Sequence, residues 1–539
     1  MKMLVRLFVL AALLQCLPAS AVDRYYSRCD TGAHASCVAG SDSNDGLSAS
    51  APKLTAPVST QFNAAACGDR FLFARGGRWD GYVSGSIGHG LNCATNPVVI
   101  ADAYDPPSGA TGDPVLYRAS AGTVLQFGSY NNLTSDDRGY LVQDIWLQGT
   151  ACRESLDCYT AETGVALIGR ISNVTFNRVT IKGFRLGMEF ANDPDFTDPS
   201  IENVTISNST ISDNYSMGIL GNADDWVTYN TLFEGNNFTG NPQNHAIYVN
   251  APISAPKRIT FRDNRYINNS IPSSWAAYYV APNTCTGGTV TVHGVLDGVI
   301  IEDNYLSQSL ATINCYGVSV TQGYASAEVF NNVIVSRNKI INYASAIVYE
   351  NAPGIVIENN EISTETTTTP NAYIFSQGAD ESGVQTTVKI RNNSVYGYTG
   401  VGINCAPSGS PTSQICSNNL VYFWGSTGTR SCFAHNAKST YTDFNGNLCY
   451  GATRFSSTYT TLGTENDDCP SGTASFDCTG LRVDPLFVAT PASGNDWSLR
   501  LQPGSPALGG GSGTSCARLT KDGKVRTGTC TPGAFQPGL

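Results

Sequence analysis

His245 and Tyr248, three residues apart in the run NPQNHAIYVN, are the side chains of this sequence best suited to moving protons. An imidazole titrates near neutral pH and a phenol can donate beside a base, so the pair can supply base and acid for a β-elimination. Acidic residues gather nearby in sequence. Glu189 is followed by Asp193, Asp195 and Asp198, and the next similar segment by Asp224 and Asp225. Crowded carboxylates raise one another's pKa, which suits a general acid, or they recruit a hard cation with oxygen ligands. Asp224 and Asp225 are the candidate catalytic carboxylates, and Asp193, Asp195 and Asp198 the candidate ligands of a calcium ion. Lys257, Arg258, Arg262 and Arg265 form a basic cluster. Lys257 is a candidate lyase base; Arg258 and Arg265 are candidates for holding a substrate carboxylate. Each feature also has a plainer reading: a histidine filling a corner of the fold, an Asp- and Pro-rich turn in water, or solvated surface charge.

These residues are carried by a repeat. The block IVSRNKI recurs as IVIENNEI, with Asn338 answered by Asn360 22 residues later. The slot of an aliphatic or aromatic residue, then Asn, then another apolar residue returns at Asn236, Asn264, Asn304, Asn393, Asn419 and Asn447. Apolar positions alternate or run continuously over a few residues, which writes strands rather than helices. Such periods predict units that bury a core only by stacking, here as a parallel β-helix with about 4.8 Å between coils. Asn at each bend tolerates the left-handed conformation and can bond its equivalents above and below, so the repeated asparagines read as architecture.

Aligning the second strand of each coil gives LGMEFAN, MGILGN, HAIYVN, AYYVA, YGVSVT, AIVYE and VGINCA. Alternation predicts Met188, Ile219, Ile247, Tyr278, Val318 and Ile347 inside. Glu189, Leu220, Tyr248, Tyr279, Ser319, Val348 and Asn404 then face out. The Ala or Gly before each inward residue predicts a shallow trough, where Tyr248 and Tyr279 would stack on sugar rings beside Glu189 and Asn250.

Met1 to Ala21 reads as a secretory signal, with Lys2 and Arg6 before an apolar run and Ala19-Ser20-Ala21 as cleavage site. Without Cys16, sixteen cysteines remain, an even number that suits an oxidising compartment. Close pairs such as Cys152/Cys158, Cys469/Cys478 and Cys516/Cys530 predict local staples, and none has zinc-like spacing. The net charge of −11 argues against a nucleic-acid partner, and no later stretch is apolar enough to enter a membrane. Residues 22–160 read as N-terminal cap and first coils, 161–450 as the regular repeats and 451–539 as closing coils. Thr364 to Pro370 reads as an exposed low-complexity insert.

GSDSNDGLS, GDRFLFARGGRW and PVVIADAY resemble the opening coils of secreted proteins in the pectin-lyase-like superfamily; Asp484-Pro485-Leu486-Phe487 and Leu501-Gln502-Pro503-Gly504 resemble its closing motifs. The resemblance implies an all-β, right-handed parallel β-helix with disulfide-stapled caps. It implies an exported protein, extracellular or periplasmic, whose partner is a polysaccharide; a monomer is the expected state. Joined to the residues above, it points to a polysaccharide lyase acting on a uronic-acid polymer. A glycoside hydrolase using the acidic cluster and a non-catalytic carbohydrate-binding solenoid are the alternatives.

Overall fold

In a computed structural model of the chain, the described residues are 21–129, 137–150, 162–191, 201–223, 225–238, 244–250, 257–271, 286–309, 314–323, 328–365, 372–377, 387–406, 413–434, 442–452, 454–456, 484–490, 498–511 and 513–536. Their strands stack into parallel sheets along a solenoid. One coil shows the plan: Val329–Ser336 lies in a first sheet, Lys339–Ile341 in a second and Ser345–Tyr349 in a third. The next coil repeats it in register with Val356–Glu358, Glu361–Ser363 and Ala372–Ser376. Two twelve-residue strands, Asp137–Gln148 and Ile171–Lys182, run through the bend and join the first two sheets into one. The chain is a right-handed parallel β-helix, the sense that parallel crossovers take.

Stacking makes the core. Ile347, Ile374 and Ile403 follow one another in register up the third sheet, all fully buried, as alternation predicts. The asparagines differ from expectation in two ways. First, there are two ladders. Asn264, Asn304, Asn338, Asn360, Asn393, Asn419 and Asn447 are linked side chain to side chain between the first and second sheets. Asn236 instead joins Asn214 and Asn269 at the bend after the second sheet. Second, no ladder asparagine has a positive φ. That conformation falls on the preceding residue, as at Asp263, Asp303, Arg337 and Asn359. The ladder side chain must point inward to reach its neighbours, so the reversal is made one residue earlier.

Both ends are stapled. Cys29–Cys37 and Cys67–Cys93 tie the first coils, Cys405–Cys416 and Cys432–Cys449 the late ones, and Cys516–Cys530 the closing segment. Cys152, Cys158, Cys469 and Cys478 lie outside the described residues, as do residues 1–20 and most of the Thr-rich insert. The closing segment folds back along the second sheet. Phe487, Leu499, Leu501 and Phe535 pack on Ile341, Tyr396, Leu420 and Leu448 in a separate apolar cluster. Backbone amides of Leu499, Ala517 and Ala534 donate to the side chains of Glu361, Asn392 and Ser394. Among the described residues no helix is long and apolar enough to cross a membrane.

Candidate functional site

The third sheet positions the candidate chemistry through a local irregularity. The small residue before each inward side chain also points inward. A Cβ on Gly218 would meet the Asn236 side chain, one on Gly187 the side chains of Asn214 and Ile211, and one on Gly317 that of Ile340. The Ala/Gly positions are therefore packed against the far wall of the coil and do not form an outer trough. Two inward residues in succession put the residue before them on the outside. For this reason His245, three residues before Tyr248, shares its outer face.

On that face one register row reads Glu189, Leu220, Tyr248, Thr291, Ser319 and Val348. The strand beside Tyr248 is Thr286–His293, so Thr291 holds the place expected for Tyr279, and Val290 that expected for Tyr278. Tyr279 lies outside the described residues. Asn250, exposed, stands in register with His293.

Tyr248 lies between two imidazoles. Its ring stacks on His245 with centroids 5.1 Å apart and planes 17° from parallel. The edge contact with His293 has centroids 5.4 Å apart at 72°. His245 is 6% exposed, and its Nδ1 accepts from the Gly288 amide at 3.0 Å, with the Thr291 hydroxyl 3.1 Å away. Nδ1 is also 3.1 Å from the Gly288 carbonyl, but a proton there would face the Gly288 amide proton head-on. Ser270 Oγ donates to that carbonyl instead. His245 is thus the Nε2-protonated tautomer, and burial drives its pKa down to about 3.

The sequence drew no attention to His293, yet the fold gives it an elaborate setting. Its Nδ1 donates to the Thr321 carbonyl at 2.5 Å and lies 3.9 Å from Glu328 Oε2. A carbonyl only accepts, so Nδ1 carries the proton and Nε2 a lone pair. Glu328 is 1% exposed, and Oε2 accepts from the amides of Gly294 and Gly323, each at 3.0 Å. Gly323 must be glycine-sized, because a Cβ there would come within 2.6 Å of the His293 ring. Burial lowers the His293 pKa, against the opposing pull of the Thr321 carbonyl and Glu328. The alternating run TVTVH was the available signal for His293; Glu328, 35 residues later, had none.

The expected residues divide as follows. His245, Tyr248 and Asn250 come together, joined by His293. Glu189 is on the same row two strands away, about 10 Å at 4.8 Å per coil. Burial raises its pKa, with Arg185 opposing. Asp225 and Arg258 are register partners in the first sheet, and Lys257 opens the same strand as Arg258. Arg265 is in the second sheet, its guanidinium 4.9 Å above the Tyr305 ring. These four belong to other sheets than Tyr248. Asp193, Asp195, Asp198 and Asp224 lie outside the described residues, among which no three His, Cys, Asp or Glu converge as a metal site.

No protein-family model matches the chain, and no curated protein matches it. Among solved structures it is similar to the A-module of the mannuronan C-5 epimerase AlgE4 of Azotobacter vinelandii, at 13% identity over 70% of this chain and 95% of that one, TM-score 0.44. It is also similar to pectate lyase Pel9A, at 13% identity over 96% and 97%, TM-score 0.32. A third is the GH136 lacto-N-biosidase from Eubacterium ramulus, at 12% identity over 77% and 64%, TM-score 0.41. All three are right-handed parallel β-helix proteins of the pectin-lyase-like superfamily. At these identities the likeness is one of fold alone.

Proposed function

We propose that the outer face of the third sheet around Tyr248 is the active centre of a carbohydrate-active enzyme, one that cleaves a uronic-acid-containing polysaccharide by β-elimination. The observation that carries the reading is the clasp of Tyr248 between two neutral imidazoles, one of them braced by a buried carboxylate. In this reaction His293 Nε2 takes the proton from the sugar carbon beside the carboxylate. The electron pair left behind forms the ring double bond as the glycosidic C–O bond breaks. The Tyr248 hydroxyl protonates the departing oxygen. The proton on His293 then returns to the phenolate next to it, and the site is reset. His245, its Nδ1 occupied by Gly288, holds the Tyr248 ring flat and acts as a positioning residue. Asn250 and Glu189 flank the face as substrate-binding residues. A calcium ion at Asp193, Asp195 and Asp198 is proposed from the sequence alone; bound, it would offset the charge of a uronate carboxylate.

The test is incubation of purified protein with polygalacturonate and with alginate. Ultraviolet absorbance from unsaturated ends is expected, with Tyr248→Phe losing about 10²–10⁴-fold of turnover. Reducing ends without unsaturation would overturn elimination in favour of hydrolysis. The observation favouring that second reading is the half-buried Glu189 with its raised pKa, and Glu189→Gln would then be the damaging change. Binding without turnover would leave a carbohydrate-binding solenoid.

A further inference from the structure

Five to six coils beyond Tyr248, an indole lies flat over the bend that leads into the same sheet. Trp424 follows the second-sheet strand Leu420–Phe423. Its Nε1 donates to the Thr364 carbonyl at 3.0 Å, and Thr364 belongs two strands back, with Gly397 in the strand between. Two strand spacings are roughly 10 Å, which a tryptophan spans only by lying along the solenoid axis across the intervening strand. The ring's one polar atom is thereby turned to the protein, and an apolar face is left outward; Trp424 is 36% exposed. Tyr398 flanks it, with centroids 4.7 Å apart. The Tyr398 hydroxyl is in turn 3.1 Å from that of Thr427, so hydroxyls rim the platform. Gly425 is small because a Cβ there would lie 2.7 Å from the Tyr398 ring. The pair is built into the backbone and is more than a stray exposed side chain.

We infer that Trp424 and Tyr398 form a sugar-stacking subsite for the same polysaccharide, holding a pyranose ring several residues along the chain from the bond at Tyr248. The inference rests on the proposed reading that this side of the solenoid takes a polysaccharide. An indole face anchored through its N–H offers the apolar face of a pyranose an area match without charge, and the neighbouring hydroxyls suit its equatorial rim. Successive register partners carry the third sheet from Tyr248 to the coil of Trp424 over six strand steps, roughly 29 Å. A chain lying along the axis would therefore meet Tyr248 first and the aromatic pair only when it is several rings long.

The test compares binding of polygalacturonate and alginate oligomers of increasing length to the full chain, by calorimetry and by retention in polysaccharide-containing gels. Wild type is expected to gain affinity once the oligomer spans both places. Trp424→Ala should remove that gain, about tenfold or more on the scale of aromatic stacking. Trp424→Phe, which keeps an apolar ring but loses the Nε1 bond to Thr364, should keep part of it, which separates a lost platform from a damaged fold. Retention by Trp424→Ala equal to wild type, or a loss as large in Trp424→Phe, overturns the subsite. If the length-dependent gain is present and lost on Trp424→Ala but no unsaturated product forms, the subsite stands and the elimination reading falls. If product forms while affinity ignores chain length, the subsite alone falls.

Discussion

Asn360→Ala offers a direct measure of what the ladder contributes. Asn360 Oδ1 accepts from both the backbone amide and the side-chain amide of Asn338, each at 3.0 Å. Its Nδ2 donates to the Val335 carbonyl at 2.9 Å and to Asn393 Oδ1 at 3.0 Å. Asn393 Oδ1 would keep a donor in the variant, because the Asn360 backbone amide also reaches it at 3.1 Å. The Asn338 backbone amide would lose its partner, while the Asn338 side-chain amide would keep only its bond to the Ile301 carbonyl at 2.8 Å. Asn338 and Asn360 are both inaccessible to water, so the lost bonds cannot be replaced by solvent. One buried donor left bare costs about 1–3 kcal/mol, and the half-lost side-chain amide adds to it, which gives about 3 kcal/mol in all. Denaturant midpoints for wild type and Asn360→Ala, compared at a common slope, read this directly. Exposed Asn250→Ala is the control and should stay within about 0.5 kcal/mol. A loss below about 1 kcal/mol for Asn360→Ala would show that the coils rest on their apolar stacking and that the ladder only follows it.

Glu328→Gln removes the charge 3.9 Å from His293 Nδ1, where two unit charges attract by about 4 kcal/mol at the effective dielectric of a partly buried site. Burial already lowers the His293 pKa, so the fold favours the neutral ring; stability is whole above about pH 6.5 and declines as pH falls below it. In Glu328→Gln the imidazole should titrate lower still by NMR, and the acid limb of kcat/KM should move down with it; an unchanged titration would refute the bracing role. Ile347→Asp puts an unpartnered carboxylate in a fully buried core position and should cost about 4 kcal/mol or more; an unmoved melting temperature would contradict the register. Thiol titration of the denatured, unreduced chain lacking residues 1–21 should find few or no free thiols, since five disulfides already account for ten of sixteen cysteines; several free thiols would be inconsistent with an oxidising compartment.

The repeat in the sequence announced the solenoid because stacking forces the same alternation on every coil. Inward Met188, Ile219, Ile247, Val318 and Ile347 were legible for that reason. What small residues do was not. Gly187 and Gly218 look alike whether they hollow an outer surface or face an asparagine across the core, and only the partner at the far wall decides between them. The strand beside Tyr248 was misplaced because two apolar runs, AYYVA and TVTVH, compete within one long insertion, and register with the neighbouring strand chooses the second. His293 was passed over because its partner comes from a separate turn, at Glu328, while Asp225 and the basic cluster looked joined to Tyr248 only because they are close to it in sequence. Chain distance and sheet membership are different things in a coil.

The closing segment has a consequence for the order in which the molecule can be finished. A coil needs only its neighbours, so stacking can proceed from the N-terminus as the chain is made. The flank formed by Ile341, Tyr396, Leu420 and Leu448 has to wait, because its cover comes from residues 484–536, which follow every coil. Until then the growing solenoid has its core closed but carries one sticky side. A chain cut near residue 480 would have all its coils in place and still bury that side against another copy of itself. Arrival of Phe487, Leu499 and Phe535 thus serves as a timing step: it separates a stack that has merely formed from one that is safe to release.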